Sequence, residues 1–170
     1  MGQFCEEQRF AWWAAACGAA GIAGGMVAVG AARFAEPGEM GMGVFLGLEA
    51  LFLALGVVVL NLFFMRTIVD RNGAVVTFGR WFPLYRKRIA PGEIAGVRVV
   101  AYRPLRDFGG WGIRFGRFEG KRCRALNVRG DRGVLLTLRD GGRLVIGSQT
   151  PEALAAALGG ERGREDNCQD

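Results

Sequence analysis

Residues 10–32 read FAWWAAACGAAGIAGGMVAVGAA, a run of 23 positions without one charged side chain. A second run, residues 40–65, reads MGMGVFLGLEALFLALGVVVLNLFFM and is interrupted by a single carboxylate, Glu49. A helix rises about 1.5 Å per residue and a bilayer's hydrocarbon core is roughly 30 Å thick, so about 20 residues suffice to cross it. Each run is long enough. The rest of the 170-residue chain is too small to bury two helices that are apolar all round, so the two runs predict a transmembrane hairpin. The expected organisation is an N-terminal segment at 1–9, a first span at 10–33, a short turn at 34–39 and a second span at 40–65. A domain outside the bilayer follows at 66–158, and then a disordered polar tail at 159–170.

The first run is read as uncleaved. Ala14-Ala15-Ala16-Cys17 resembles a lipoprotein cleavage box, but the apolar run continues for 15 residues beyond Cys17, and upstream Arg9 stands against Glu6 and Glu7. Orientation follows from the distribution of cations. The link between the runs holds one, Arg33, whereas Arg66, Arg71, Arg80, Arg86, Lys87 and Arg88 crowd the exit of the second. Positive charge resists translocation, so both termini and the C-terminal domain are expected in the cytoplasm. Trp12 and Trp13 then sit at the cytoplasmic interface, where aromatic belts form. A reducing compartment also suits Cys5, Cys17, Cys123 and Cys168, which have neither CxxC spacing nor a His anywhere in the chain.

Inside the hairpin, Ala14, Gly18, Gly21, Gly25, Ala28 and Ala32 recur at spacings of four and three, a seam that lets a neighbouring helix approach. Glu49 is the anomaly, because a carboxylate deep in a span costs about 2.5 to 3.5 kcal/mol and normally faces protein or water. An antiparallel count places it against Gly24 and Gly25. It reads as glue between helices or subunits, or as part of a proton or ion relay, although the runs hold no second charge to complete one.

Beyond residue 65 the apolar period changes from helical to alternating. Arg66–Val69 and Ala74–Phe78 read as strands joined through Asn72-Gly73. Tyr85–Ile89, Glu93–Tyr102, Gly112–Arg117 and Arg122–Val128 follow, and Gly133–Arg139 with Arg143–Gly147 form a hairpin around Asp140-Gly141-Gly142. Thr150 as cap, Pro151 at the first position, Glu152 in the first turn and Gly159 as terminator predict one short helix, whose Leu154 and Leu158 plug the strands. The fold class is therefore α+β, with about seven strands in a barrel or sandwich and a C-terminal capping helix.

Gly109-Gly110-Trp111-Gly112-Ile113-Arg114 and the block from Gly133-Val134 through Gly142-Arg143-Leu144-Val145-Ile146-Gly147 to Pro151-Glu152-Ala153-Leu154 resemble the bacterial membrane-anchored PH-like (pleckstrin-homology-like) proteins. These place a hydrophobic hairpin before such a domain, and the resemblance spans about residues 67–158. It implies a bent barrel of two sheets capped by a helix, acting as a tethered binding or scaffolding module with no catalytic centre. Phosphoinositide sites of eukaryotic PH domains use cations around the first hairpin, where this chain offers only Arg71 beside Asp70.

The residue inventory points the same way. With no His, one Ser and no base beside any Cys, nucleophilic catalysis and metal binding lack their parts, and no phosphate-cradling glycine motif is present. No catalytic residue, cofactor or metal ligand is expected. Arg129-Gly130-Asp131 matches an adhesion tripeptide but, in a cytoplasmic loop, reads as coincidence.

What remains is charge. Of the chain's 22 Lys and Arg only Arg9 and Arg33 precede residue 66, and of its 16 Asp and Glu five do, which leaves 20 cations against 11 anions beyond it. Arg80, Arg86, Lys87 and Arg88, with Trp81 and Phe82, are the candidates for contact with membrane lipids and anionic headgroups. A solvated face obeying the positive-inside rule is the other reading. Trp111, with Arg114 three residues on, is a candidate anchor for a protein partner, or else a core Trp beside a tight turn. No nucleic-acid motif accompanies the arginines. Two functions stay open: a non-enzymatic scaffold binding lipid or protein, and an accessory subunit whose hairpin, through Glu49, assembles a homo-oligomer or a larger membrane complex.

Overall fold

In a computed structural model of the chain the described residues are 3–10, 12–35 and 41–159. Strand β1 (Phe4–Arg9) precedes two long helices, α1 (Trp12–Ala35) and α2 (Met42–Leu62). Then come β2 (Phe64–Asp70), β3 (Gly73–Phe78), β4 (Tyr85–Ile89), a 3-10 turn at Pro91–Glu93 and β5 (Ile94–Ala101). A short helix α3 (Pro104–Phe108), strands β6 (Gly112–Phe118), β7 (Lys121–Asn127), β8 (Arg132–Leu138) and β9 (Arg143–Gly147), and helix α4 (Pro151–Ala157) complete the chain. The fold is α+β.

Both long helices are long and apolar enough to cross a membrane, and few of the residues in those stretches are buried inside the protein. They pack on each other antiparallel. The Phe52 ring lies on the bare backbone of Gly25, where a methyl group would meet it at 2.5 Å. Val59 and Phe63 lie over Gly18, and Ile22 over Gly56. Only part of the expected small-residue seam is used, for nothing approaches Gly21. Because Phe52 sits opposite Gly25, Glu49, three residues earlier, comes level with Ala28 and not with Gly24 and Gly25 as the sequence count expected. Glu49 is half-buried.

The hairpin boundaries move for a physical reason. Helix α2 ends at Leu62 rather than at residue 65, because Phe64 and Met65 already belong to a strand, where Met65 pairs with Phe78 and is fully buried. Met65 is apolar for the sake of the strand core. Helix α1 runs from Trp12 to Ala35, two residues beyond the expected end of the first span. Of the expected turn at 34–39, residues 36–39 lie outside the described residues, as does the tail from residue 160, including Cys168. Cys5, Cys17 and Cys123 are free thiols.

The strands form two sheets, one of order β1-β2-β3-β4 and one of order β5-β8-β9-β7-β6. Among the described residues there are nine strands rather than about seven, and the sheets do not close into a barrel. The one strand that matches none of the segments located from sequence is β1, in the segment 1–9. It runs antiparallel to β2, with Phe4 opposite Val69 and Arg9 opposite Phe64, so both ends of the hairpin enter the same sheet. In the second sheet β9 inserts between β8 and β7 and lies parallel to β7.

The core lies between the sheets. Val69, Val76, Phe78, Leu126, Val134, Leu136 and Ile146 meet there, with Leu154 and Leu158 of α4 as expected. Apolar alternation along β8 and β9 supplies one face of that core, while the opposite face of the same strands carries Leu135 and Val145 into a second cluster beneath α3. Two turns differ in detail from expectation. The β2–β3 turn is centred on Arg71-Asn72, with Asp70 Oδ1 accepting the Asn72 N–H at 2.7 Å. Gly73 follows at φ +115°, its α-carbon so close to the Ile89 carbonyl that no β-carbon fits. Thr150 stands at the start of α4 but makes no capping bond with its side chain; instead Ser148 Oγ accepts the Thr150 N–H at 3.1 Å.

Candidate functional site

The residues that converge where the hairpin meets the sheets come from three separate parts of the chain. Phe10 donates its N–H to the Phe63 carbonyl at 3.1 Å, and their rings meet edge to face at 5.1 Å. The next residue, Phe64, carries two guanidinium groups over its ring, Arg9 at 5.2 Å and Arg80 at 5.0 Å from the centroid. Such contacts hold a cation at a defined place without neutralising it.

Asn61, fully buried in the last turn of α2, organises the loop between β3 and β4. Its Nδ2 donates to the Phe82 carbonyl at 2.7 Å, and its Oδ1 accepts the Trp81 N–H at 2.8 Å. One side-chain amide thus satisfies both polarities of a backbone that would otherwise lose its partners against apolar helix. Gly79, at φ +118°, is packed against the Phe82 carbonyl, so the loop can fold back on itself only with glycine there. The consequence is outward. Trp81 is 60% exposed, and Phe82 and Leu84 are exposed with it, beside the end of the apolar helix. Trp12 and Trp13 project at the start of α1, where a recess of about 600 Å³ between them and Arg9 is also lined by Arg129 and Gln149.

From Arg80 a groove of about 610 Å³ runs over the outer face of the first sheet, lined by Arg66, Ile68, Val75, Arg86 and Arg88. Arg66 pairs with Glu7 at 3.2 Å. Among the described residues Arg80, Arg86 and Arg88 have no carboxylate partner. The basic run 86–88 is divided by the pleat of β4, which sends alternate side chains to opposite faces. Arg86 and Arg88 reach this groove, and Lys87 lines a different cleft on the other side. The structure therefore brings together Arg80, Arg86 and Arg88, leaves Trp81 exposed in the loop next to Arg80, and separates Lys87 from them.

Trp111 is neither a core residue nor fully exposed. Its indole N–H donates to the Gly130 carbonyl at 3.3 Å, and Arg114 Nε donates to the Trp111 carbonyl at 2.9 Å. This ties the loop before β6 to the loop after β7 and sets Arg129 beside the helix base. Glu49 has no ion-pair partner among the described residues.

The N-terminal strand is fastened to the second sheet by polar contacts. The Glu6 carboxylate accepts Ser148 Oγ at 2.6 Å and the Gln149 N–H at 2.7 Å, and buried Gln8 Nε2 donates to the Gly147 carbonyl at 2.8 Å. Inside the second sheet, buried Asn127 receives the Gly112 N–H at 3.1 Å and donates to the Tyr102 hydroxyl at 3.2 Å. Burial pushes the Tyr102 phenol up to about 12, so it stays a neutral hydrogen-bonding group.

Sequence reading missed Arg9, Asn61, Phe64 and Arg129. Asn61 left one signal, a lone amide inside an otherwise apolar run. Among the described residues no cluster of His, Cys, Asp or Glu of metal-binding size occurs. No family model matches the chain, and no curated protein matches it.

Proposed function

We propose that the chain is a membrane-anchored, non-enzymatic binding module of PH-like type, set by its hairpin against the cytoplasmic face of a bacterial inner membrane and engaging anionic lipid headgroups there. The observation that carries this reading is the loop docked on Asn61, which aims Trp81, Phe82 and Leu84 outward at the end of an apolar helix with Arg80 beside them. An exposed apolar cluster ringed by cations suits an interface in which rings sit among headgroups and guanidinium groups meet phosphate. Arg9, Arg129, Trp12 and Trp13 extend the same chemistry around the hairpin base. The surplus of Lys and Arg beyond residue 65 supports the cytoplasmic orientation. Two sheets plugged by α4 support the PH-like resemblance, while the parallel pair β7–β9 and the open seam mark this domain's own variation on it.

The test uses the full chain with Trp81 as its sole tryptophan, reconstituted in phosphatidylcholine vesicles containing a small fraction of brominated phosphatidylglycerol. Quenching of Trp81 beyond the bulk mole fraction of the brominated lipid is expected. Replacing Arg80, Arg86 and Arg88 by Gln should reduce that enrichment by roughly fivefold per cation near the surface, at about 1 kcal/mol each. Quenching that merely tracks the bulk fraction would sink the headgroup reading.

A second reading, assembly through the hairpin, is favoured by Glu49, half-buried between two apolar helices. Its measure is the size of the detergent-solubilised protein, which Glu49→Gln should alter.

A further inference from the structure

The two sheets leave a seam open between the edge strand β4 and the hairpin of β6 and β7. It is a cleft of about 740 Å³ lined by Lys87, Phe115, Arg117, Arg122, Arg124 and Arg143. It begins near Tyr85, beside the loop docked on Asn61, and ends at the turn between β8 and β9. We propose that this seam is a second anion site, for a ligand bearing several phosphate charges, separate from the groove that faces the membrane.

Two of its donors, Arg124 and Arg143, are held in place before any ligand arrives. Arg124 Nη1 donates to the Tyr85 hydroxyl at 3.2 Å, bridging the sheets, and the guanidinium lies 4.5 Å from the centre of the Phe115 ring. Arg143 Nη1 donates to the Phe118 carbonyl at 2.9 Å. Of the two carboxylates at this end, Asp140 accepts the Gly142 N–H at 2.8 Å, and Glu119 is occupied twice, by Arg98 and by Arg143, at 2.6 Å each. That leaves Lys87, Arg117, Arg122 and Arg124 with no carboxylate partner among the described residues. A single carboxylate or orthophosphate would leave most of this charge unanswered. Adjacent phosphates match both the number of cations and the forked geometry of guanidinium. The volume lies in the range of small-molecule sites. Charged edge strands also discourage pairing with other chains, but that role demands no affinity for an anion.

Isothermal titration of the full chain in phosphatidylcholine nanodiscs, with tripolyphosphate and with orthophosphate, tests the assignment. Tripolyphosphate should bind about tenfold or more tightly than orthophosphate, and binding should fall with salt. Arg122→Gln with Arg124→Gln should weaken it by about tenfold or more, whereas Arg86→Gln with Arg88→Gln, on the opposite face, should change it by less than about threefold. Lys87→Gln, which touches no hydrogen bond of the fold, gives the same reading if the Arg124 variant unfolds. Adding phosphatidic acid to the disc separates the sources of the phosphate. Displacement of tripolyphosphate assigns the seam to a lipid phosphomonoester, and persistence of binding assigns it to a soluble one. Absence of tripolyphosphate binding at millimolar concentration in low salt, or equal weakening by both pairs of substitutions, overturns the proposal.

Discussion

On the outer face of the second sheet Val100, Tyr102, Phe108, Phe118, Leu135 and Val145 are sealed into a core of their own. On the outer face of the first sheet Ile68, Val75 and Thr77 lie in an open groove among Arg66, Arg86 and Arg88. Five residues make the difference. Helix α3 lies over the second sheet so closely that Gly116 has room for no β-carbon beneath the Asp107 carbonyl. Among the described residues nothing comparable covers the first. Apolar side chains on one outer face are covered, while on the other they share an open groove with arginines of which Arg86 and Arg88 have no carboxylate partner among the described residues.

The largest test of that contrast removes the cover. Phe108 stacks on Phe118 at 6.2 Å and meets Tyr102 edge to face at 5.8 Å. Phe108→Ala should cost about 3 to 5 kcal/mol, the usual penalty for emptying a buried aromatic site. Ile68→Ala, half-exposed in the groove, should cost about 1 kcal/mol or less. Urea unfolding of the detergent-solubilised chain, followed by circular dichroism, compares them, and equal costs would show that the groove too is structural.

A smaller effect is expected where the hairpin joins the first sheet. Asn61→Ala strands the Trp81 N–H and the Phe82 carbonyl, a loss of about 1 to 3 kcal/mol. The loss is local, so trypsin cleavage after Arg80 should accelerate more than global unfolding does. Resistance to trypsin equal to that of the parent chain would mean that other contacts hold the loop.

The same division governs what could be read in the sequence. Long uncharged runs and strict alternation are dense signals, and from them came both helices and the β8–β9 hairpin, while Pro151, Glu152 and Gly159 marked the short helix whose Leu154 and Leu158 form the plug. Strand β1 gave no such signal, since Phe4-Cys5-Glu6-Glu7-Gln8-Arg9 has polar residues on both faces, with Glu6 and Gln8 bonded to the second sheet and Glu7 to Arg66. A strand held by long-range polar contacts has no local pattern. Phe64 and Met65 misled for the opposite reason, because apolarity serves a bilayer and a protein core alike. The candidate site was half legible. Arg80, Trp81, Arg86 and Arg88 lie near one another in sequence, but Arg129 reaches the hairpin base and Arg9 meets Phe64 and Arg80 only through folding, and the separation of Lys87 follows from a pleat that composition does not record. The same strand sets a limit on dissection: a fragment beginning at Arg66 lacks β1 and exposes the edge of β2.

The smallest effect concerns acid. Glu119 joins the tip of the β6–β7 hairpin to β5 and β9, and its hydrogen bonds from Arg98 and Arg143 hold its carboxyl below the ordinary 4.5. Glu152 is lowered as well, first by its own backbone amide in the first turn of α4 and then by Arg132. A carboxyl lowered in the folded state binds fewer protons there than in the unfolded chain, so stability rises with pH across that window. The contribution is complete above about pH 4.5 and disappears as the pH falls through the depressed value. Both groups are exposed, so the effect is small and screened by salt. Glu119→Gln should flatten the acid limb of a thermal-stability profile of the full chain at low salt while leaving the neutral plateau of its slope unchanged. An acid limb of undiminished steepness in that variant would assign acid sensitivity to carboxylates elsewhere, and the tip of the hairpin would then be held by the bond from Arg143 to the Phe118 carbonyl rather than by charge.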